Sequence, residues 1–391
     1  MLRKILFFID FDRGIKAYRQ MPTIGSKLDS FNGYGPGFDF CRVYLAMSVL
    51  AWHSWMLVVG QKMLSDYVEI PGLLLLHNST LPMFFALSGF LIAGSAQRLS
   101  CRNFLINRSL RIFPALAVEV TLSALVLGAI LTSLPLRDYF TDPQTYTYFF
   151  NIAGLIQYFL PGVFKNNPFD TVNGSLWTVP AEFACYYLMT IVILTKAVNK
   201  AGWLFALATA YPFIWLVYML SFYDPGDTGV SSYFLFMFLN FSGVGLIPCF
   251  LTGVAIYAAR YRIPHSRSLF GAALVILTVM GLAVDSEYMN APGVNIIINP
   301  LFAYVVIYLG LCRLPKLPFY SRGDYSYGIY LYAYPIQQTL IHIWPQITVA
   351  VHLVLSAVAV SAFAAFSWHF IEKPILGLRK NFSFVARRKI V

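Results

Sequence analysis

A chain of 391 residues that is 58% hydrophobic, 17% aromatic and only 12% charged carries roughly half the charge of a soluble domain, where about 25% is usual. Mean hydropathy is +0.66, and apolar runs of about 20 residues recur along nearly the whole length. They exclude disorder, exclude a β-barrel for want of alternation, and mark an all-α polytopic membrane protein. The net charge of +11 is spread between the apolar runs rather than gathered on one module, so it sets topology and is no footprint of a nucleic acid.

Residues 1–37 read as a retained cytoplasmic lead-in, because the apolar stretch after Lys4 is too short for a signal peptide and stops at Asp10. Ten spans then follow, at 38–60, 73–95, 112–134, 174–196, 202–222, 233–258, 268–284, 294–312, 325–345 and 347–370. They make one membrane domain over 38–372, followed by a basic cytoplasmic tail, 373–391. The sixth span contains Ser242-Gly-Val-Gly-Leu-Ile-Pro248 and is long enough to tilt or break. The largest connection, 135–173, carries an aromatic stretch from Tyr146 to Tyr158 that belongs at the interface or re-enters. With the N-terminus inside, only Lys62, Arg137 and Lys165 fall outside, and Arg42 lies within the first span. The other 24 of the 28 basic residues are cytoplasmic, so the span number is even and both termini are cytoplasmic.

No internal repeat is visible, which weighs against transporters built from repeats. Cys41, Cys101, Cys185, Cys249 and Cys312 are far apart and form no CxxC, so neither a disulfide framework nor a metal site is expected.

Ionisable residues inside spans cost about 2.5–3.5 kcal/mol at mid-helix, which makes them the first place to look for chemistry. Arg42 and His53 share the first span. Eleven residues apart, they point the same way and stand about 16 Å apart along the axis, Arg42 at the inner mouth and His53 about 10 Å from the outer end. A snorkelling arginine and a hydrogen-bonded core histidine would give the same spacing. Glu182, after Asn173-Gly-Ser-Leu-Trp-Thr-Val-Pro180, lies about 12 Å from the outer end. At that shared depth it can pair with His53, fixing its tautomer, or can serve as a structural carboxylate bonded to a neighbouring Tyr or Trp.

Arg108-Ser-Leu-Arg111 opens the third span. Its two guanidiniums, at i and i+3, face one way and can grip phosphates bidentately, or simply anchor the helix as positive-inside charge. Ser88 and Gly89 sit in the second span, where small residues permit close helix approach. Glu119, about 10 Å in from the cytoplasmic end, is expected to be structural, paired with Arg42 or a loop arginine. His342 and His352 are placed near the outer surface and His369 near the inner one. Aromatic belts account for most tyrosines of Ser326-Tyr-Gly-Ile-Tyr-Leu-Tyr332.

Taken in order, Arg42…Ala46…His53, Phe84-Phe-Ala-Leu-Ser-Gly-Phe-Leu-Ile92, Arg108-Ser-Leu-Arg-Ile-Phe-Pro114, Ser175-Leu-Trp-Thr-Val-Pro-Ala-Glu182, Ser326-Tyr-Gly-Ile-Tyr-Leu331 and Glu372-Lys-Pro374 resemble the acyltransferase-3 family of integral membrane acyltransferases. The resemblance implies O-acylation of carbohydrate, often bacterial surface polysaccharide, from cytosolic acyl-CoA. His53 resembles the family's essential intramembrane histidine, Glu182 sits in its glutamate motif, and Arg42, Arg108 and Arg111 look like its donor-handling arginines. One position departs: many relatives have a histidine where this chain has Ala333. Many also carry a C-terminal soluble domain, and a second transfer step here is expected to need a separate protein.

The expectation is therefore a multi-pass protein of the bacterial cytoplasmic membrane that moves an acetyl group from acetyl-CoA to a hydroxyl of a cell-surface or lipid-linked glycan. It uses acetyl-CoA as co-substrate with no permanently bound cofactor, and glycan-assembly proteins are its possible partners. His53 and Glu182 are the catalytic candidates and Arg42, Arg108 and Arg111 the donor-binding ones. Ser88, Asn173, Trp177 and Tyr330 are supporting candidates. The alternatives are a succinyl or longer-acyl transferase and, from another class, a glycan transporter or flippase.

Overall fold

The computed structural model describes residues 21–60, 71–221, 243–284 and 292–378. Helix α1 (Ile24–Ser30) starts at Thr23, whose side chain accepts from Ser26 N while Ser26 Oγ accepts from Thr23 N. This capping box fixes a segment whose Ile24 and Leu28 are buried and whose backbone bonds to Ile263 O and Arg260 O. The described end of the lead-in thus docks on the bundle.

The long helices follow: α2 (Phe38–Val59), α3 (Pro71–Ala96) and α4 (Cys101–Leu122), the last running on through a π-helical turn (Ser123–Leu127) and a final α-turn (Gly128–Leu131). After two short helices, α5 (Leu136–Thr141) and α6 (Pro143–Thr147), come α7 (Val179–Leu194), α8 (Ala201–Ser221), α9 (Leu246–Ala258), α10 (Arg267–Ala283), α11 (Pro292–Gly310), α12 (Ser326–Ile343) and α13 (Val349–Ser367). The last also continues through a π-helical turn, Trp368–Glu372, into Lys373–Gly377.

Every one of the ten predicted spans coincides with a helix in its described part. The beginning of the sixth, with Ser242, lies outside the described residues, as do residues 1–20, Lys62 and the tail from 379. Seven segments among the described residues are long and apolar enough to cross a membrane: Phe38–Val59, His77–Ala96, Cys101–Leu131, Gly174–Leu194, Ala201–Tyr218, Gly293–Gly310 and Val349–Gly377. Helices α9 and α10 are apolar but shorter. The outward residues of α4, α8, α10 and α13 are apolar; Ile130, Leu220, Leu282 and Val358 are all mostly exposed. Such a surface fits hydrocarbon and not water, and the chain is a multi-pass membrane protein.

Two boundaries differ from expectation, each for a local reason. The third span begins at Cys101 instead of 112, because Ser100 caps it by accepting from Asn103 N at 3.3 Å; Arg108 and Arg111 therefore lie inside a helix. The fourth opens with five residues of 3₁₀ helix, Gly174–Thr178, capped by Asn173.

Helices α3 and α9 cross where two glycines meet opposing backbone. A Cβ on Gly89 would collide with Phe250 O, and one on Gly253 with Ala86 O. Helix α12 runs through the middle of the bundle. Gln337 Nε2 donates to Leu50 O (2.8 Å) and Ser54 Oγ (2.7 Å) on α2, and the Gln337 carbonyl accepts from His352 Nε2 on α13 (3.0 Å). Such bonds are worth about 0.6–2 kcal/mol each between membrane helices. His352, in the first turn of α13, is fully buried within the bundle. Connection 135–173 folds onto α4 through Tyr139 and Tyr148, both fully buried, with Tyr139 OH donating to Ala124 O. Tyr146, Phe150 and Leu155 of the same stretch remain exposed.

Candidate functional site

One end of the bundle gathers the polar residues of α2, α4, α12 and α13. Asp324, in the turn before α12, accepts from Arg42 Nη1 (2.6 Å) and Arg111 Nη2 (2.8 Å), while its other oxygen accepts from Ser326 Oγ (2.9 Å). Arg111 Nη1 reaches Glu372 Oε2 at 3.0 Å, and Ser367 Oγ donates to Glu372 Oε1. The rings of Tyr327 and Trp368 flank the Arg111 guanidinium at 5.5 and 5.6 Å, within cation–π range. Burial works against a charge on Asp324, but the neighbouring Arg42 and Arg111 outweigh it and hold its carboxyl down at about 2.

This cluster forms part of the wall of a cavity of about 500 Å³. Arg42, Arg98, Arg108, Arg111 and Arg260 all line it, against Asp29, Glu182 and Asp324, so cations are in excess. Arg108 has a buried Nε with no hydrogen-bond partner among the described residues. Glu182 accepts from Tyr186 OH at 2.5 Å, and its charged neighbours are Arg111, Arg108 and Arg42. An enclosed group of guanidiniums, one of them unpaired, suits a ligand bearing phosphates.

A second cavity, about 550 Å³, is walled by Trp52, His53, His77, Asn78, Tyr158, Trp177 and Tyr334, among others. Here His53 meets the Tyr334 ring edge-on at 5.1 Å, and Trp52 stacks on His77 at 3.9 Å. His53 Nδ1 and Asn78 Nδ2 are buried without partners among the described residues.

The two cavities lie end to end along the bundle. On α2, Arg42 lines the first, and Ser48 to Met56 the second. Helix α3 runs the opposite way, and its His77 to Thr80 line the second while Phe84 to Ser95 line the first. Gly174 and Trp177 face the second, Thr178 and Glu182 the first; on α12, Tyr330 faces the first and Tyr334, one turn on, the second. Leu81 lines both.

Arg42, Arg108, Arg111, Glu182, Ser88 and Tyr330 thus share the first cavity, and His53 and Trp177 the second. The expected pairing of Glu182 with His53 is not formed: they line different cavities, and no hydrogen bond joins them among the described residues. Five 3₁₀ residues rise about 2.0 Å each with three per turn, so a count at α-helical pitch misjudges both the depth and the facing of Glu182. Arg42 pairs with Asp324 and not with Glu119. Glu119 instead accepts from Ser123 Oγ (2.8 Å) and Asn173 Nδ2 (2.9 Å). Asn173 also donates to Leu331 O and accepts from Ser175 N, so it braces the segment between the cavities without lining either. Ala333 is buried in an apolar cluster with Val43, Ala46 and Leu50 and faces neither cavity.

The sequence reading missed Asp324, Arg98, Arg260, His77 and Asn78. For His77 the signal was present, an ionisable group inside an apolar run. Asp324 lies in a connection with no periodicity to mark it.

The family model described as an acyltransferase domain matches residues 36–368. An "O-acetyl transferase" of Shigella phage Sf6 is 26% identical over 362 residues, covering 87% of this chain and 95% of that protein. "Nodulation protein 10" of Rhizobium leguminosarum bv. viciae is 28% identical over 392 residues, covering 93% and 99%. No solved structure matches. The chain belongs to this family of membrane acyltransferases, as the motifs from Arg42 to Pro374 led one to expect.

Proposed function

We propose that this acyltransferase moves an acetyl group from cytosolic acetyl-CoA to a hydroxyl of a cell-surface or lipid-linked glycan, within a bacterial cytoplasmic membrane that its ten helices cross with both termini inside. The observation that carries the reading is the end-to-end pair of cavities, one rich in arginine and the other holding His53, with Leu81 in the wall of both. The name of the phage relative, an O-acetyl transferase, supports an acetyl donor and an oxygen acceptor.

The donor's phosphates lie against Arg108 and the Arg42–Arg111 pair, and the pantetheine arm extends past Ser88 and Tyr330 toward Leu81. A sugar hydroxyl enters the second cavity, and its oxygen attacks the thioester carbonyl carbon. A C–O bond forms, the C–S bond breaks, and the hydroxyl proton passes to His53 and from there to the leaving thiolate, giving free CoA thiol. The apolar bundle keeps water from the thioester. Glu182 acts among the arginines of the donor cavity and not behind His53.

The test is the full chain in proteoliposomes with acetyl-CoA, succinyl-CoA and a bacterial surface glycan. Acceptor-dependent release of CoA thiol and a glycan mass increase of one acetyl group are expected. Glycan crossing the bilayer with no thiol release would overturn the reading in favour of a flippase. A succinyl mass increase would correct the donor.

A further inference from the structure

The charge content of the two cavities differs, and the difference bears on what the second one takes. No Arg, Lys, Asp or Glu lines the second cavity among the described residues. Its polar groups are Ser48, His53, His77, Asn78, Thr80 and Thr171, and much of the remaining wall is aromatic. Trp177 has no ring partner among the described residues, is partly exposed and faces the cavity. Trp52 is already stacked on His77 and tilted against Trp55, so Trp177 is the tryptophan of this wall without a ring partner among the described residues. In the same wall, Asn78 Nδ2 and His53 Nδ1 are buried polar atoms without partners among the described residues. Buried polar groups are almost always paired, so two such atoms in one cavity mark where a ligand's own polar groups belong. The volume, about 550 Å³, falls in the range of ligand pockets, about 300–1,000 Å³.

We infer that the second cavity is a binding site for an uncharged sugar ring, stacked on Trp177, with one hydroxyl accepting from Asn78 Nδ2 and another presented to His53 Nδ1. A pyranose has a face of C–H groups, slightly positive, that fits the negative face of an indole, and it is rimmed by hydroxyls that match neutral side chains. A phosphate or a uronic acid carboxylate would meet no Arg or Lys among the described lining residues, at the cost of desolvating a charge. The ring that receives the acyl group is therefore neutral, whatever charges the rest of the glycan carries. This deepens the acyl-transfer reading and rests on it for its kinetic test.

The experiment uses the full chain with acetyl-CoA, neutral methyl hexosides and the matching methyl hexuronosides, following CoA thiol release. Neutral acceptors should be used, and each hexuronoside should be at least about tenfold poorer, as expected when a desolvated charge finds no partner. Trp177→Ala should raise the acceptor KM about tenfold or more while the acetyl-CoA KM stays within about twofold, and Trp177→Phe should recover most of the loss. Asn78→Ala should raise the acceptor KM alone. Equal use of charged and neutral rings, or an unchanged acceptor KM in a folded Trp177→Ala protein, would overturn the site.

Oxidative footprinting of the wild-type chain, read by mass spectrometry of the Trp177 peptide, gives an arm independent of catalysis and of the variants' folding. Saturating neutral hexoside should shield Trp177, and hexuronoside should not. Shielding without thiol release from any acceptor would sink the acyl-transfer reading and keep the sugar site. Thiol release without shielding would do the reverse.

Discussion

Arg42 and Arg111 converge on a single oxygen: Asp324 Oδ2 accepts from one at 2.6 Å and from the other at 2.8 Å. The residues are 282 and 213 positions from Asp324 in the chain, so this contact ties α2 and α4 to the start of α12. Two guanidiniums brought this close would repel each other without the shared carboxylate. The cation pair in the wall of the first cavity is thus held in place by protein groups alone.

Arg111 and Arg108, one turn apart, should respond differently to removal. Arg111→Ala leaves Glu372, only 1% exposed, without its cation, and should destabilise the protein by about 3–5 kcal/mol, seen as a lower thermal midpoint in detergent. The Arg108 Nε has no partner to lose among the described residues. Arg108→Ala should keep the thermal midpoint and raise the acetyl-CoA KM about tenfold or more, the loss of a charge-assisted bond of about 1.5–3 kcal/mol.

Asp324→Asn should have a pH-dependent cost. The folded carboxyl titrates at about 2, below its ordinary 3.8. Its contribution is therefore complete above about 3.8 and is lost as pH falls toward 2. The gap in thermal midpoint between wild type and Asp324→Asn should stay level from pH 8 to about 5 and narrow below about 4. Thermal denaturation in detergent across that range checks it.

His53→Ala and His53→Gln should both abolish transfer, a loss of about 10²–10⁴ if the imidazole acts as a general base. Because Nδ1 has no hydrogen bond to forfeit among the described residues, the thermal midpoint should barely move. Acceptor-dependent thiol release beside a melting curve separates a chemical role from a structural one.

Gly89→Ala and Gly253→Ala should each loosen the bundle, because the added methyl meets a backbone carbonyl on the facing helix and backbone yields less easily than a side chain. A cost of about 1–3 kcal/mol or more is expected. It should show as a lower thermal midpoint and lower yield of folded protein.

The spans were legible because each is a continuous apolar run, and a run of that kind has only one way to satisfy its backbone in lipid. Arg42, His53, Arg108, Arg111 and Glu182 stood out for the converse reason, being charged or titratable where such groups are costly, and all five line a cavity. Partnerships were not. Depth along a helix can be counted from sequence only at constant pitch, and the 3₁₀ turns at Gly174–Thr178 undid the count that set Glu182 beside His53. Asp324 depends on a turn meeting two distant helices, and Glu119 on Asn173 reaching it from a separate segment, relationships that no spacing encodes. Position 333 shows the same limit from another side: its alanine is a packing residue between α2 and α12, a role visible only once the helices are assembled.

Leu81, with one flank toward each cavity, has a bearing on the cell's energy supply. A bore open from face to face would let protons run down their gradient whenever the enzyme stood idle. On the proposed reaction, an acyl group handed over beside this leucine exchanges one covalent bond for another, and no ion has to travel with it. Such a transfer asks for no continuous channel through the helical bundle.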